Sequence, residues 1–496
     1  KLQKQKNPVV WALVIVLVLI VIASGVYFFL HQQKQEPIEE PIRSIAVLPF
    51  RNMSADPEQE YFCDGLADDI ILALTHVGEL NVLARTSSFA FKGQDKDIRD
   101  IGRELEVDAV FEGSVSKSGN RLRINAQLIN VTTGYHILTG QYDYEMEDAL
   151  DIRDDICMRI VDELKINLGE KEKAAIEKRY TENVEADNEY KLGRYYLEMR
   201  TKEGVEQAFE HFTKAIEIDP DYALAYAGIA DYYHYFSAFG LMPSKDAYPE
   251  AKKAAEKALE LDNTLAEAYI SLAIINNWYD WDLQSAKYNL DQALKYNPGN
   301  SRIYYRHLEY YNITRQFEKG IETLQRAIEL DPLRYVLYWN LLHSYCHLEK
   351  YDEAWEVADN IEKIFPKEVD RHNYGRGVIY LYQGNYNDAI ENFEKIINKR
   401  LSALTDIGYA YGMAGEKEKA AEIINKLKEN SPLVSPFIAY MYLGMGENDK
   451  VFEWLETAYE NREPYLILIT WDPGYDNLRS DPRFIALLKK MGFPED

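Results

Sequence analysis

Residues 304–332 read YYRHLEYYNITRQFEKGIETLQRAIELDP, and this stretch decides the fold of more than half the chain. Its closing run, Ala327-Ile328-Glu329-Leu330-Asp331-Pro332, is a helix end stopped by a proline, whose ring cannot extend the backbone ladder. The stop recurs at Ala215 to Pro220 and, in weaker form, at Ala258 to Asn263 and Ala293 to Pro298. Gly320 belongs to a ladder of small or apolar residues: Ala208, Ala251, Ala286, Gly320, Ala354, Ala389, Ala420 and Val451, spaced by 31 to 43 residues. Four residues after each comes a second rung: Phe212, Ala255, Leu290, Leu324, Ala358, Phe393, Ile424 and Leu455. Self-similarity near 34 residues, with a small residue where two helices touch, predicts an array of helix-turn-helix repeats. Such arrays build curved surfaces that hold other molecules and rarely make or break bonds.

The repeats resemble the tetratricopeptide family. The likeness is carried by Tyr304, Leu308, Tyr311, Gly320, Leu324, Ala327 and Pro332, and again by Tyr338, Leu342, Tyr345, Ala354, Ala358, Ile361 and Pro366. It implies an all-α superhelix in which one face of each first helix lines a concave groove. Residues at the groove-facing positions are Tyr190, Arg194, Tyr305, Glu309, Asn312, Trp339, His343, His347, Tyr374, Tyr382 and Tyr409. Aromatic side chains with a polar tip are enriched where one protein grips another, so a protein or peptide ligand is expected there. Tyr304, Tyr311, Tyr338 and Tyr345 are instead expected to fill seams between helices. An insertion around Phe236 to Pro249 reads as a tolerated surface loop.

Val9 to Leu30 are uncharged and rich in Val, Ile and Leu, about 33 Å of helix, enough to cross a hydrocarbon core. Lys1, Lys4 and Lys6 precede this run, which places the N-terminus in the cytoplasm and residues 31–496 outside it, at a bacterial inner membrane. Lys1 is not a methionine, so further sequence is expected before it. Residues 1–8 are then a cytoplasmic flank, 9–30 a transmembrane helix and 31–43 a linker. They are followed by an α/β domain (44–168), a connecting helix (169–187), an array of about eight repeats (188–460) and a cap (461–496).

Between linker and repeats, Ser44-Ile45-Ala46-Val47-Leu48-Pro49-Phe50 suits a buried strand. Helical spacing follows over Gly65 to Val77 and Asp97 to Leu105, with a strand at Asn81 to Ala84 between them. Val110 to Val115 and Leu122 to Asn130 alternate across the turn Lys117-Ser118-Gly119-Asn120. Tyr135 to Tyr144 is a further strand, and Ile152 to Leu168 a closing helix. On Ser44 to Phe50, Asp64-Gly65-Leu66, Ala84-Arg85-Thr86-Ser87-Ser88-Phe89 and Glu112-Gly113-Ser114-Val115, this segment resembles the domain related to the amino-terminal region of TolB. Residues Tyr135 to Gln141 depart from that pattern. The resemblance implies a place between a membrane helix and a repeat array, with an upstream effector: a nucleotide cyclase, a winged-helix DNA-binding domain or a kinase. It implies no catalytic residues.

The net charge of −26 argues against a nucleic-acid partner for these residues. Cys63, Cys157 and Cys346 are too few for a disulfide framework. No phosphate loop or nucleophile elbow occurs, and His343, Cys346 and His347 lack an acidic ligand at zinc-motif spacing. Neither metal nor cofactor is expected. Asp68-Asp69 and Asp154-Asp155 read as solvated charge. The functional expectation is a non-catalytic interaction or sensor module that relays to a cytoplasmic effector, with homodimerisation left open. The alternative is a stand-alone periplasmic scaffold for envelope assembly.

Overall fold

The structure is a computed structural model that describes residues 41–54, 59–145, 149–396, 401–430 and 434–493. The apolar run after Arg43 becomes β1 (Ser44–Val47), which pairs in parallel with β3 (Asn81–Val82) on one side and β4 (Ala109–Ser118) on the other. β2 (Arg51–Asn52) also pairs in parallel with β4. β4, β5 (Arg121–Asn130) and β6 (His136–Glu145) form an antiparallel meander, so the sheet order is β3-β1-β4-β5-β6. Gly119 takes φ +61° at the tight turn joining β4 to β5, a conformation that costs glycine little. Helices α1 (Glu60–Leu74), α2 (Arg85–Phe89), α3 (Ile98–Glu104) and α4 (Ala149–Glu163) complete this small sheet domain. Ala46, Val110, Ile101 and Leu105 share one of its buried clusters.

Helix α5 (Glu170–Ile176) is short, and the next, α6 (Val184–Glu198), already packs as a repeat helix against α7 (Lys202–Ile218). The single connecting helix expected over 169–187 is therefore two pieces joined through Arg179, which pairs with Asp154 at 3.0 Å. Pairs continue as α8 (Ala223–Ala238) and α9 (Ser244–Leu261), then α10 (Ala266–Ile275) and α11 (Leu283–Tyr296). Next are α12 (Ser301–Ile313) and α13 (Phe317–Leu330), then α14 (Tyr335–His347) and α15 (Tyr351–Ile364). α16 (Val369–Tyr382), α17 (Tyr386–Glu394), α18 (Leu401–Met413), α19 (Lys417–Asn430), α20 (Ser435–Gly444) and α21 (Asn448–Asn461) follow. Two 3₁₀ turns, Pro464–Thr470 and Pro473–Leu478, lead to α22 (Pro482–Lys490).

The repeat pattern has a direct packing cause. In α13 the buried residues Phe317, Gly320, Ile321, Leu324 and Ala327 recur every three or four positions and form one apolar stripe. At three of the helix stops a tyrosine six residues on donates its hydroxyl to the stop's carbonyl: Tyr269 to Asn263 (3.0 Å), Tyr304 to Pro298 (2.8 Å) and Tyr338 to Pro332 (2.8 Å). The seam role of Tyr304 and Tyr338 thus includes satisfying a carbonyl that the helix end leaves without a partner.

Three expectations are corrected. The architecture is an all-helical repeat superhelix with a small sheet domain at its N-terminal end, and no helix among the described residues is long and apolar enough to cross a membrane. The stretch Val9 to Leu30 lies outside the described residues, so the transmembrane element of the fold and the inner-membrane placement are withdrawn. Asp69 is not solvated charge either: it pairs with buried Lys191 at 2.9 Å, where the sheet domain meets the repeats.

Candidate functional site

The sheet domain docks on the inner helices of the array. Ala84 N donates to Leu330 O (2.7 Å), Ser87 Oγ to Asp331 Oδ1 (2.6 Å), Leu333 N to Ser87 Oγ (2.9 Å) and Arg326 Nη2 to Asn81 Oδ1 (2.7 Å). At Gly299 any side chain would meet the Thr75 backbone at 2.4 Å, so the two parts touch main chain to main chain there. Tyr190, Arg194 and Tyr305 lie at this junction, around a cavity of about 140 Å³ shared with Asp68, Arg85 and Thr86. Its charges answer one another. Arg302 Nη2 reaches Asp231 Oδ2 at 3.0 Å, and Arg194 lies 3.9 Å from the same oxygen. Burial works against the Asp231 charge, yet the two guanidiniums hold its carboxyl below the ordinary range. Glu309, buried, accepts from Arg306 (2.7 Å) and from Trp278 Nε1 (3.2 Å).

The remaining predicted groove residues do something different, because the array closes on itself. Trp281, at φ +59° and almost fully buried, stacks on Tyr459 with ring centroids 5.6 Å apart. The Arg462 guanidinium sits 4.2 Å from the Trp281 ring centre and donates to Tyr279 O at 3.1 Å. Trp278 meets Tyr465 edge to face at 5.8 Å, and Arg315 pairs with Asp476 at 3.2 Å. The C-terminal turns therefore seat on the third and fourth repeats and roof the groove.

Beneath that roof is a cavity of about 570 Å³, within the usual range for small-molecule sites. Asn312, Trp339, His343, His347, Tyr374 and Tyr382, six of the eleven residues expected in the groove, line it. Tyr409 stands behind the wall, stacked on the lining Tyr440 at 4.2 Å. Trp339 lies flat on Tyr374 (4.4 Å, 12°), and the Tyr382 hydroxyl is 3.3 Å from both His343 Nδ1 and His347 Nε2. Burial pushes His343 down to about 3 and His347 to about 4, so both are neutral near pH 7.

The sequence reading did not find Phe239, Trp278, Asp406, Phe437, Tyr465, Trp471, Asp472 and Tyr475, which also line this chamber. Phe239 comes from the insertion taken as a tolerated loop, and Trp471, Asp472 and Tyr475 from the cap. No repeat position announces a residue brought in by ring closure. Asp406 accepts from the Tyr374 hydroxyl at 2.7 Å, and burial, reinforced by the Asp472 charge, raises its carboxyl to about 7. Burial likewise raises Asp472 to about 6, against the Gly474 amide that binds it at 2.8 Å. Among the described residues, no group of His, Cys, Asp and Glu is arranged to hold a metal ion.

Residues 42–161 match the second domain of HilA/YgeH-like transcriptional regulators, where the sequence reading had expected a TolB-type domain. Residues 301–332 and 374–434 match tetratricopeptide repeats. The chain is 38% identical over 248 residues to "Putative adenylate cyclase 3" of Rhizobium meliloti, across 47% of this chain and 40% of that protein. It therefore spans well under half of that relative's length. To the transcriptional regulator HilA of Salmonella typhimurium it is 22% identical over 407 residues, 79% of this chain and 69% of the regulator. Among solved structures, yeast Tom70 superposes over 70% of this chain and 82% of its own, at 18% identity and a TM-score of 0.42. The matched segments are of a non-enzymatic kind, a regulator domain and a protein-interaction scaffold. The chain joins a HilA-like domain to an array of tetratricopeptide repeats.

Proposed function

We propose that this chain is the recognition part of a signalling protein, in which the roofed chamber receives a ligand and the sheet domain passes its occupancy to an effector. One observation carries the reading: α14 serves both sites. The turn before it, 331–334, is hydrogen-bonded to Ser87 of the sheet domain, and its inner face presents Trp339, His343 and His347 to the chamber. A ligand that moves Trp339 biases the turn, and through it the sheet domain; coupling of this kind is reciprocal between the two sites. Similarity to an adenylate cyclase supports a nucleotide cyclase as the effector, ahead of a DNA-binding domain or a kinase.

The coupling can be measured without knowing the ligand. In the full chain, Trp339→Phe should change amide-exchange protection of Ala84 and Leu333, and Ser87→Ala should shift the tryptophan fluorescence of the chamber. If each substitution leaves the other region unchanged while the fold is retained, the relay is refuted.

A further inference from the structure

The chamber is a ring of aromatic side chains with two carboxylates, of which Asp406 has no cation to answer it. Trp278, Trp339, Trp471, Tyr374, Tyr440 and Tyr475 supply π faces, and neither lysine nor arginine occurs among its described lining residues. Asp406 has no cationic partner among the described residues; the Tyr374 hydroxyl is its hydrogen-bond donor. Two polar atoms at the wall are buried without a protein partner: His343 Nε2, whose role follows the tautomer, and Asn312 Oδ1, which lies on the side of Gly320. Buried polar atoms left unmatched are uncommon in folded proteins.

The contrast with the junction sharpens the point, since there Asp231 faces Arg302 and Arg194, and Asp69 faces Lys191. The chamber offers π faces and a carboxylate without a counter-charge, which is the complement of an N–H-bearing cation on an apolar stem. Its closure by the C-terminal turns suits a small molecule rather than a chain running along the groove.

We infer that the chamber binds a small organic cation, an ammonium group carried on an aromatic or alkyl stem, with Asp406 as its counter-ion and Trp339, Tyr374 and Tyr440 around it. This deepens the recognition reading and rests on it. The ammonium takes the place of the missing donor beside Asp406 while the stem fills the volume between the rings. Binding favours the ionised carboxylate, so affinity rises with pH through the range in which Asp406 ionises. The groups facing Asp406 and its neighbour are the Tyr374, Tyr382, Tyr409, Tyr440 and Tyr475 hydroxyls, His343, His347 and Asp472, with Asp476 and Arg479 behind Asp472. The histidines ionise below this range and the hydroxyls of Tyr382, Tyr409, Tyr440 and Tyr475 above it, which leaves the two aspartates to set the dependence.

The test is calorimetric titration of the full chain with 2-phenylethylammonium, its neutral isostere 2-phenylethanol and the anion 3-phenylpropionate. At pH 8 the ammonium should bind roughly tenfold or more tighter than the alcohol, and the anion should not bind. Asp406→Asn should abolish that preference without weakening the alcohol, and lowering the pH to 5 should weaken the ammonium about tenfold or more. Trp339→Phe, which keeps a ring in place, should retain most of the preference. The inference is overturned if the alcohol binds as well as the ammonium, if Asp406→Asn leaves the preference intact, or if no probe binds at millimolar concentration. A lysine peptide that binds where the small ammonium does not would also overturn it. Because the exchange coupling between Trp339 and Ala84 is read without ligand, it separates failure of this inference from failure of the recognition reading.

Discussion

Two stretches of one inner surface differ in how they treat buried charge. At the junction with the sheet domain, Asp231 faces Arg302 and Arg194, Glu309 faces Arg306, and Lys191 faces Asp69 and Asp187. In the chamber, Asp406 faces a phenol and Asp472 a backbone amide. Both regions are built on the first helices of successive repeats, but at the junction those helices answer one another's charges, and the sheet domain adds Asp69 opposite Lys191. The C-terminal turns bring aromatic rings and another carboxylate instead. A surface already answered by its own chain holds the fold together; one that is not is left to hold something else.

The comparison is broken most forcefully on the junction side. Asp231→Ala strands two sheltered guanidiniums, and losing one partner of a buried pair costs about 3 to 5 kcal/mol. Its thermal unfolding should therefore fall well below the parent's, while the chamber's preference for an ammonium over its neutral isostere survives at a temperature where the variant is folded. If that preference disappears with Asp231, the two regions are not separable in the way described.

A smaller loss is expected on the chamber side. Trp281→Ala removes a nearly fully buried indole from the closing joint, at about 3 kcal/mol. Here the ammonium preference should go as well, because the roof carrying Asp472 and Tyr475 loses its seat. A variant that melts lower yet binds the probes like the parent would show that closure does not shape the chamber.

The repeats were legible in the sequence because their cause is local and recurrent. A small residue at each helix contact, an apolar rung four residues later and a proline stop all lie within one repeat, and Tyr338 bonding Pro332 shows how short-range that logic is. The meander was legible for the same reason, through alternation and the turn at Gly119. What remained hidden was long-range. Nothing near Tyr190 or Tyr305 says that α1 and Arg85 will cover them, and nothing near Trp471 says that it will return to Trp339's side of the groove. Six groove residues could be named from the repeat position alone. Asp406 could not, because its meaning depends on having no cation around it.

The account turns on Asp406 being a carboxylate sheltered without a counter-charge. Its raised value in the folded state means that the stability it confers is full below its ordinary value near 4 and is lost as pH climbs through about 7. The direct measurement is the stability difference between Asp406→Asn and the parent, by thermal unfolding of the full chain without ligand from pH 4 to pH 8. The account predicts near equality at pH 4 and a variant that melts a few degrees above the parent at pH 8. A variant equal to or less stable than the parent at pH 8 would mean that Asp406 is already neutralised or solvated, and would contradict it.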